Sequence, residues 1–174
     1  MSRRTIAIAA ALSVLALGSP LVTASASPLA TNSYDSGIEK YEQGDYQGAI
    51  ADYSKAIEIN PQYAYAFLNR GTAKTKLGDY QGAIADNTKA IEINPKIALA
   101  YYNRGNAKSD LDDYQGAFAD YNKALEINPQ NAFNYVNRGL ARELVNDLQG
   151  ACDDWRKAAN LGDERSAELV KEQC

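Results

Sequence analysis

The chain contains no histidine. That removes the usual general base and the commonest metal ligand, and it makes Ser–His–Asp and Cys–His sites impossible within the chain. The two cysteines, Cys152 and Cys174, form no CxxC pair, and no glycine-rich phosphate loop follows a strand-like run. Basic residues are outnumbered, 18 against 22 acidic, for a net charge of −4. An acidic chain without a basic patch repels phosphate backbones, which excludes nucleic acid as a partner. Beyond residue 26 no apolar run is long enough to span a bilayer. Paired carboxylates do occur, at Asp112-Asp113 and Asp153-Asp154. The first pair falls in a turn and the second on a helix, where adjacent side chains point apart, so both read as solvated or salt-bridged. The inventory points away from an enzyme and requires no cofactor or metal.

The start of the chain differs from the rest. MSRRTIAIAAALSVLALGSPLVTASA combines Arg3 and Arg4, an apolar run from Ile6 to Leu17, and the small residues Ala24-Ser25-Ala26. This is the layout of a secretory signal peptide cut after Ala26. Twelve helical residues cover about 18 Å, short of a hydrocarbon core of about 30 Å, so the run is a poor membrane anchor. Cleavage removes two arginines and takes the net charge from −4 to −6. The product is expected outside the first membrane, in the periplasm by preference, with thylakoid lumen or medium as alternatives, and with no remaining tie to the membrane.

The remainder of the chain is repetitive. GDYQGAIADYSKAIEINP at Gly44–Pro61 returns as GDYQGAIADNTKAIEINP at Gly78–Pro95 and as DDYQGAFADYNKALEINP at Asp112–Pro129. DYQGA begins at Asp45, Asp79 and Asp113, its worn copy DLQGA at Asp147, and NRG at Asn69, Asn103 and Asn137, always 34 residues apart. A period of about 20–50 residues marks stacked supersecondary units that bury their apolar faces against one another. Within a unit, Phe67, Leu68, Gly71, Ala73 and Leu77 line helical faces, Gly78-Asp79 makes a turn, and Tyr80, Ala83, Ile84, Asn87, Ala90 and Ile91 keep helical spacing. Asn94-Pro95 ends the second helix. So short a connection makes the two helices antiparallel. Gly71, Ala83 and Ala90, with Gly105, Ala117 and Ala124, fall where helices approach closely.

Phe67, Gly71, Ala83 and Pro95 in one unit, Tyr101, Gly105, Ala117, Tyr121 and Pro129 in the next, and Tyr135, Gly139, Ala151 and Trp155 in the last resemble the tetratricopeptide repeat (TPR) family. Gly37, Ala49, Tyr53 and Pro61 match in the first unit. The resemblance, which extends in style to exported cyanobacterial proteins, implies an all-α, right-handed superhelical solenoid of four antiparallel helix pairs plus a C-terminal capping helix. The divisions are a signal peptide at 1–26, a linker at 27–29, units at 30–63, 64–97, 98–131 and 132–165, and a cap at 166–174. Asn87 stands where the family has an aromatic, and looser packing is expected there.

The family binds extended or helical peptides in the concave groove formed by the first helices of its units. By that resemblance the groove here is lined by Tyr34, Ile38 and Tyr41, then Tyr65, Leu68 and Thr72, then Leu99, Tyr102 and Asn106, then Phe133, Val136 and Leu140. Some relatives clamp a terminal carboxylate with lysine, arginine and asparagine. Asn69, Asn103 and Asn137 could supply amides, but this lining offers no lysine or arginine to strengthen such a clamp. The expected function is an exported scaffold, monomeric by preference, that holds a peptide or protein partner. The alternative is a structural or self-assembling protein whose groove is filled by a neighbouring copy.

Two further expectations come from spacing. Arg70, Arg104 and Arg138 recur with the period of Asp52, Asp86, Asp120 and Asp154. An Arg–Asp ladder is expected, within or between units. Because the first unit has Asp52 but only Ser36 opposite, pairing forward from Asp52 to Arg70 is favoured. Cys152 and Cys174 lie on either side of Gly162 at similar distances, so a reversal there brings the sulfurs level. An even count in an exported chain then predicts a disulfide.

Overall fold

The computed structural model describes residues 27–174, and the predicted signal peptide lies outside them. The described residues form nine α-helices and no strand: α1 (Pro28–Glu42), α2 (Tyr46–Ile59), α3 (Ala64–Lys76), α4 (Tyr80–Ile93), α5 (Ala98–Ser109), α6 (Tyr114–Ile127), α7 (Ala132–Leu144), α8 (Leu148–Asn160) and α9 (Glu164–Gln173). Each packs against the next, and α1, α3, α5 and α7 also touch in sequence, so they form one face of a four-pair solenoid. None of the described helices is long and apolar enough to cross a membrane. The boundary at the first end differs from expectation. Pro28 and Leu29 belong to α1 rather than to a linker, with proline at the helix start where its missing N–H costs nothing. At the other end α9 begins at Glu164, because Asp163 Oδ1 caps Ser166 N at 2.7 Å.

The repeated phrase DYQGA is a helix start. Asp45, Asp79, Asp113 and Asp147 each accept a bond from the backbone N–H three residues on, at 2.9–3.0 Å. Such a cap satisfies one of the orphan donors of the first turn. The preceding turn residue takes positive φ: Gly44 and Gly78 at 81° and 78°, and Asp112 and Asn146 at 62° and 63° in the later units. Aspartate and asparagine are the non-glycine residues that tolerate this region best. At the opposite end the Asn side chain of Asn-Pro folds back: Asn60 and Asn94 Oδ1 each accept the N–H two residues on at 3.1 Å.

Three of the four pairs close on an aromatic. Tyr53, Tyr121 and Trp155 are fully buried. A Cβ added to Gly105 would come within 2.8 Å of the Tyr121 ring, and one on Gly139 within 2.5 Å of Trp155. Asn87 holds this place in the second pair, and the expected loosening is absent there. It is fully buried, and its Nδ2 lies 2.8 Å from the Cβ position of Gly71. Nδ2 donates to the Ala83 carbonyl at 2.8 Å, while Oδ1 has no partner among the described residues.

The ion pairs run within units. Arg70 donates through Nε and Nη2 to Asp86 at 2.9 and 2.7 Å, and Arg104 to Asp120 at 2.9 and 2.6 Å. Arg138 holds Asp154 the same way. Pairing forward from Asp52 to Arg70 does not occur. Arg70 lies over the Phe67 ring, 5.4 Å from its centroid, and its fork meets the aspartate level with it across the turn. Its free Nη1 reaches back to the preceding unit, but it meets Ser54 Oγ at 2.9 Å, two residues past Asp52. Arg104 reaches Thr88 and Arg138 reaches Asn122 likewise. Asp52 is held instead by Lys40 at 2.6 Å, Ser36 at 2.7 Å and Lys55 at 3.1 Å. The hydrogen bonds from Lys40 and then Ser36 depress its carboxyl to about 2. The first unit has no earlier described unit for an arginine to reach, and Ser36 stands in that place.

At the C-terminal end, Cys152 and Cys174 are joined by a disulfide with Cα atoms 5.7 Å apart. Cys152 and Trp155 on α8 pack with Leu169 and Val170 of α9, so the bridge fastens a helix that also covers the last apolar face.

Candidate functional site: the concave face

Helices α1, α3, α5 and α7 present three consecutive cavities. The first, about 250 Å³, is bordered by Ile38, Tyr41, Glu42, Tyr53, Asn69 and Thr72. The second, about 170 Å³, shares Thr72 and adds Thr75, Lys76, Asn103 and Asn106. The third, about 410 Å³, shares Thr75 and Asn106 and runs on to Asp110, Asn137, Leu140 and Leu144. Shared residues set the three side by side, a stepped channel of adjoining cavities along the inner face. Burial raises the Asp110 carboxyl above the usual carboxylate range.

The channel floor is a hydrogen-bonded chain between units. Asn69 Nδ2 donates to the Tyr34 hydroxyl at 2.9 Å, and Asn103 Nδ2 to Thr72 Oγ1 at 3.1 Å. Asn137 Nδ2 donates to the Tyr102 hydroxyl and to Asn106 Oδ1, both at 2.9 Å, and the Tyr121 hydroxyl donates to Asn106 at 2.8 Å. Each NRG asparagine therefore ties its unit to the one before. Burial lifts the Tyr53 hydroxyl to about 12 and raises Tyr121 and Tyr34 as well. These hydroxyls stay protonated at any ordinary pH and remain neutral bonding groups.

The structure brings Ile38, Tyr41, Thr72, Asn106 and Leu140 of the predicted lining together on this channel. Tyr65, Leu68, Leu99 and Tyr102 border a separate cavity of about 410 Å³ near the starts of α3 and α5. Leu68 and Val136 belong mainly to the core, at 2% and 8% exposed, because they face the neighbouring helices. Tyr34 is enclosed by the Tyr63 and Tyr53 rings, 4.8 and 5.8 Å away. Phe133 is exposed and borders none of these cavities.

The lining also contains charge that the repeat pattern does not mark. Lys76 borders the channel, Lys96 the separate cavity, and Glu42 and Asp110 the channel ends. Asn131 and Asn134 escape the pattern as well, whereas Asn128 belongs to the repeated Asn-Pro. For Asn134 a partial signal existed: 34 and 68 residues earlier the chain has Ala100 and Ala66, and 102 residues earlier Asn32.

The TPR repeat family model matches residues 37–74, and the tetratricopeptide repeat model matches residues 64–97 and 98–131. No curated protein sequence matches significantly. Among solved structures, the crystal structure of MamA is similar at 26% identity over 82% of this chain and 79% of that one, with a TM-score of 0.76. The first TPR of Spaghetti (RPAP3), bound to the HSP90 peptide SRMEEVD, is similar at 26% identity over 67% and 93%, with a TM-score of 0.67. The Arabidopsis OM64 TPR domain shares 32% identity over 66% and 95%, with a TM-score of 0.65. With a 34-residue period, four stacked helix pairs and matches across residues 37–131, the chain belongs to the tetratricopeptide repeat family.

Proposed function

We propose that the chain is an exported scaffold that holds a peptide or protein partner in its concave groove. The observation that carries this reading is the row of adjoining cavities over a floor whose polar groups are already bonded to one another. A floor held in this way loses little freedom when a ligand arrives, which favours affinity. The RPAP3 domain supports the reading by holding a peptide on a similar fold. Its ligand, SRMEEVD, is acidic, whereas this channel sets the single Lys76 between Glu42 and Asp110. The partner segment suited to this groove is therefore largely apolar, packing on Ile38, Tyr41, Leu140 and the rim residues Tyr65 and Leu99. Export rests on the signal-like residues 1–26, and a disulfide between the two cysteines suits an oxidising compartment.

Capture of partners from the exported fraction, by the chain and by its Tyr65→Ala/Tyr102→Ala variant, tests the reading. Loss of two aromatic contacts is expected to weaken capture by about 2 kcal/mol, roughly thirty-fold, with helicity retained. Unchanged capture would move the site to another face. A second reading, self-association, is favoured by Leu144, Val145 and Leu148, which stand exposed together at the turn of the fourth unit. Concentration-dependent mass in light scattering would favour it.

A further inference from the structure

At the third position of the inner helix, units two and three carry Ala66 and Ala100, both fully buried. Unit four carries Asn134, which is 1% exposed. Among the described residues neither its Nδ2 nor its Oδ1 has a hydrogen-bond partner. The first unit has Asn32 at this place, where it is exposed. A buried, unpaired carboxamide opposes folding by the full desolvation of both atoms, and the alanines of units two and three have no such cost. Asn134 borders the cavity at the starts of α3, α5 and α7, together with Tyr65, Leu68, Leu99, Tyr102 and Lys96. Asn128 and Asn131, on the same cavity, use their Oδ1 atoms on the backbone N–H groups of Gln130 and Asn134. Among the described residues no carboxylate lines it.

We infer that this cavity is a subsite for one aliphatic residue of a bound peptide, read through its side chain and its own main-chain N–H and C=O. In an extended chain these two groups of one residue point the same way, as they do in an antiparallel pair. The C=O accepts from Asn134 Nδ2, and the N–H donates to Asn134 Oδ1. The side chain lies on Leu68, Leu99 and the Tyr65 ring. A carboxylate only accepts and would leave Oδ1 unpaired, while an ammonium only donates and would meet Lys96. A peptide residue satisfies both atoms. The subsite rests on the groove reading and narrows it to a partner with an extended apolar segment crossing the fourth unit.

The test is an NMR titration of the isotope-labelled chain with N-acetyl-leucine N-methylamide and with its depsi analogue, in which an oxygen replaces the leucine N–H. The amide is expected to shift the Asn134 side-chain resonances and those of Leu99 saturably, with the depsi analogue at least ten-fold weaker. Asn134→Ala should bind the two probes equally. It should also melt about 2–4 °C higher, since the unpaired amide is gone. Equal binding of both probes by the unsubstituted chain would overturn the subsite while leaving an apolar groove in place. A lower melting temperature for Asn134→Ala would make Asn134 structural and also overturn it. No shift on the concave face with either probe would count against the subsite and the groove together.

Discussion

Removing the disulfide with Cys152→Ser/Cys174→Ser should loosen one end of the molecule and leave the rest alone. The bridge spans a sequence separation of 22 residues. Closing a loop of that size in the unfolded chain corresponds to about 3 kcal/mol in the chain-entropy account. A further penalty falls on Cys152→Ser, because Cys152 is buried among Trp155, Leu169 and Val170 and a hydroxyl there enters an apolar cluster. In a stack where each unit contacts only its neighbours, the loss should concentrate in α9 and its seat on α8. If the stack instead melted as one cooperative unit, the same loss would lower its melting point by roughly 6–12 °C, at about 2–4 °C per kcal/mol. Hydrogen exchange resolved by residue is the sharper assay. Protection should fall in α9 first, then at the end of α8, and stay unchanged from α1 to α6. Uniform loss along the chain would refute the nearest-neighbour reasoning. Unchanged protection in α9 would show that packing alone seats the helix.

The ladder sets two other outcomes. Arg104→Ala should cost about 3 kcal/mol by urea unfolding, since it strips the forked partner from buried Asp120 and leaves Lys108 alone to hold it. Arg104→Lys should cost less, and a loss below about 0.5 kcal/mol for the alanine variant would make the ladder a surface ornament. Asp52 titrates near 2 rather than its ordinary 3.8, so its ion pairs stabilise the fold above the unfolded pKa and that share is lost as pH falls through the folded one. At about 1.4 kcal/mol per unit the share is about 2 kcal/mol. Carboxyl NMR of the chain against Lys40→Ala should show the depressed value rise toward the ordinary one, and an unchanged value would contradict the assigned cause.

The stack and its joints were readable because they depend on spacing along the chain. The 34-residue period placed the helix pairs, Gly78-Asp79 marked the turn between two helices, and Gly71 and Gly105 marked close approaches. The arginine partners were harder. Asp52 and Asp86 lie on either side of Arg70 at nearly equal separations, 18 and 16 residues, and the tilt of one pair on the next decides between them. Groove membership was harder again. Leu68 and Tyr65 are three residues apart on one helix, yet one is core and the other rim, at 2% and 51% exposed. That difference is set by the curvature of the stack, which no single repeat encodes. Lys96 and Asn131 enter a cavity from loops, where periodicity is silent. Asn134 is marked only in part: it breaks with Ala66 and Ala100, but the first unit also has asparagine there, Asn32, which is exposed.

The central claim, that the concave face holds the partner, is tested most directly by cross-linking. A photo-cross-linking residue in place of Thr72, shared by two cavities of the channel, is compared with the same residue in place of Lys89 on the exposed face of α4. The account predicts that partners from the exported fraction become attached at position 72 and not at position 89. Attachment at position 89 with none at 72 would contradict it.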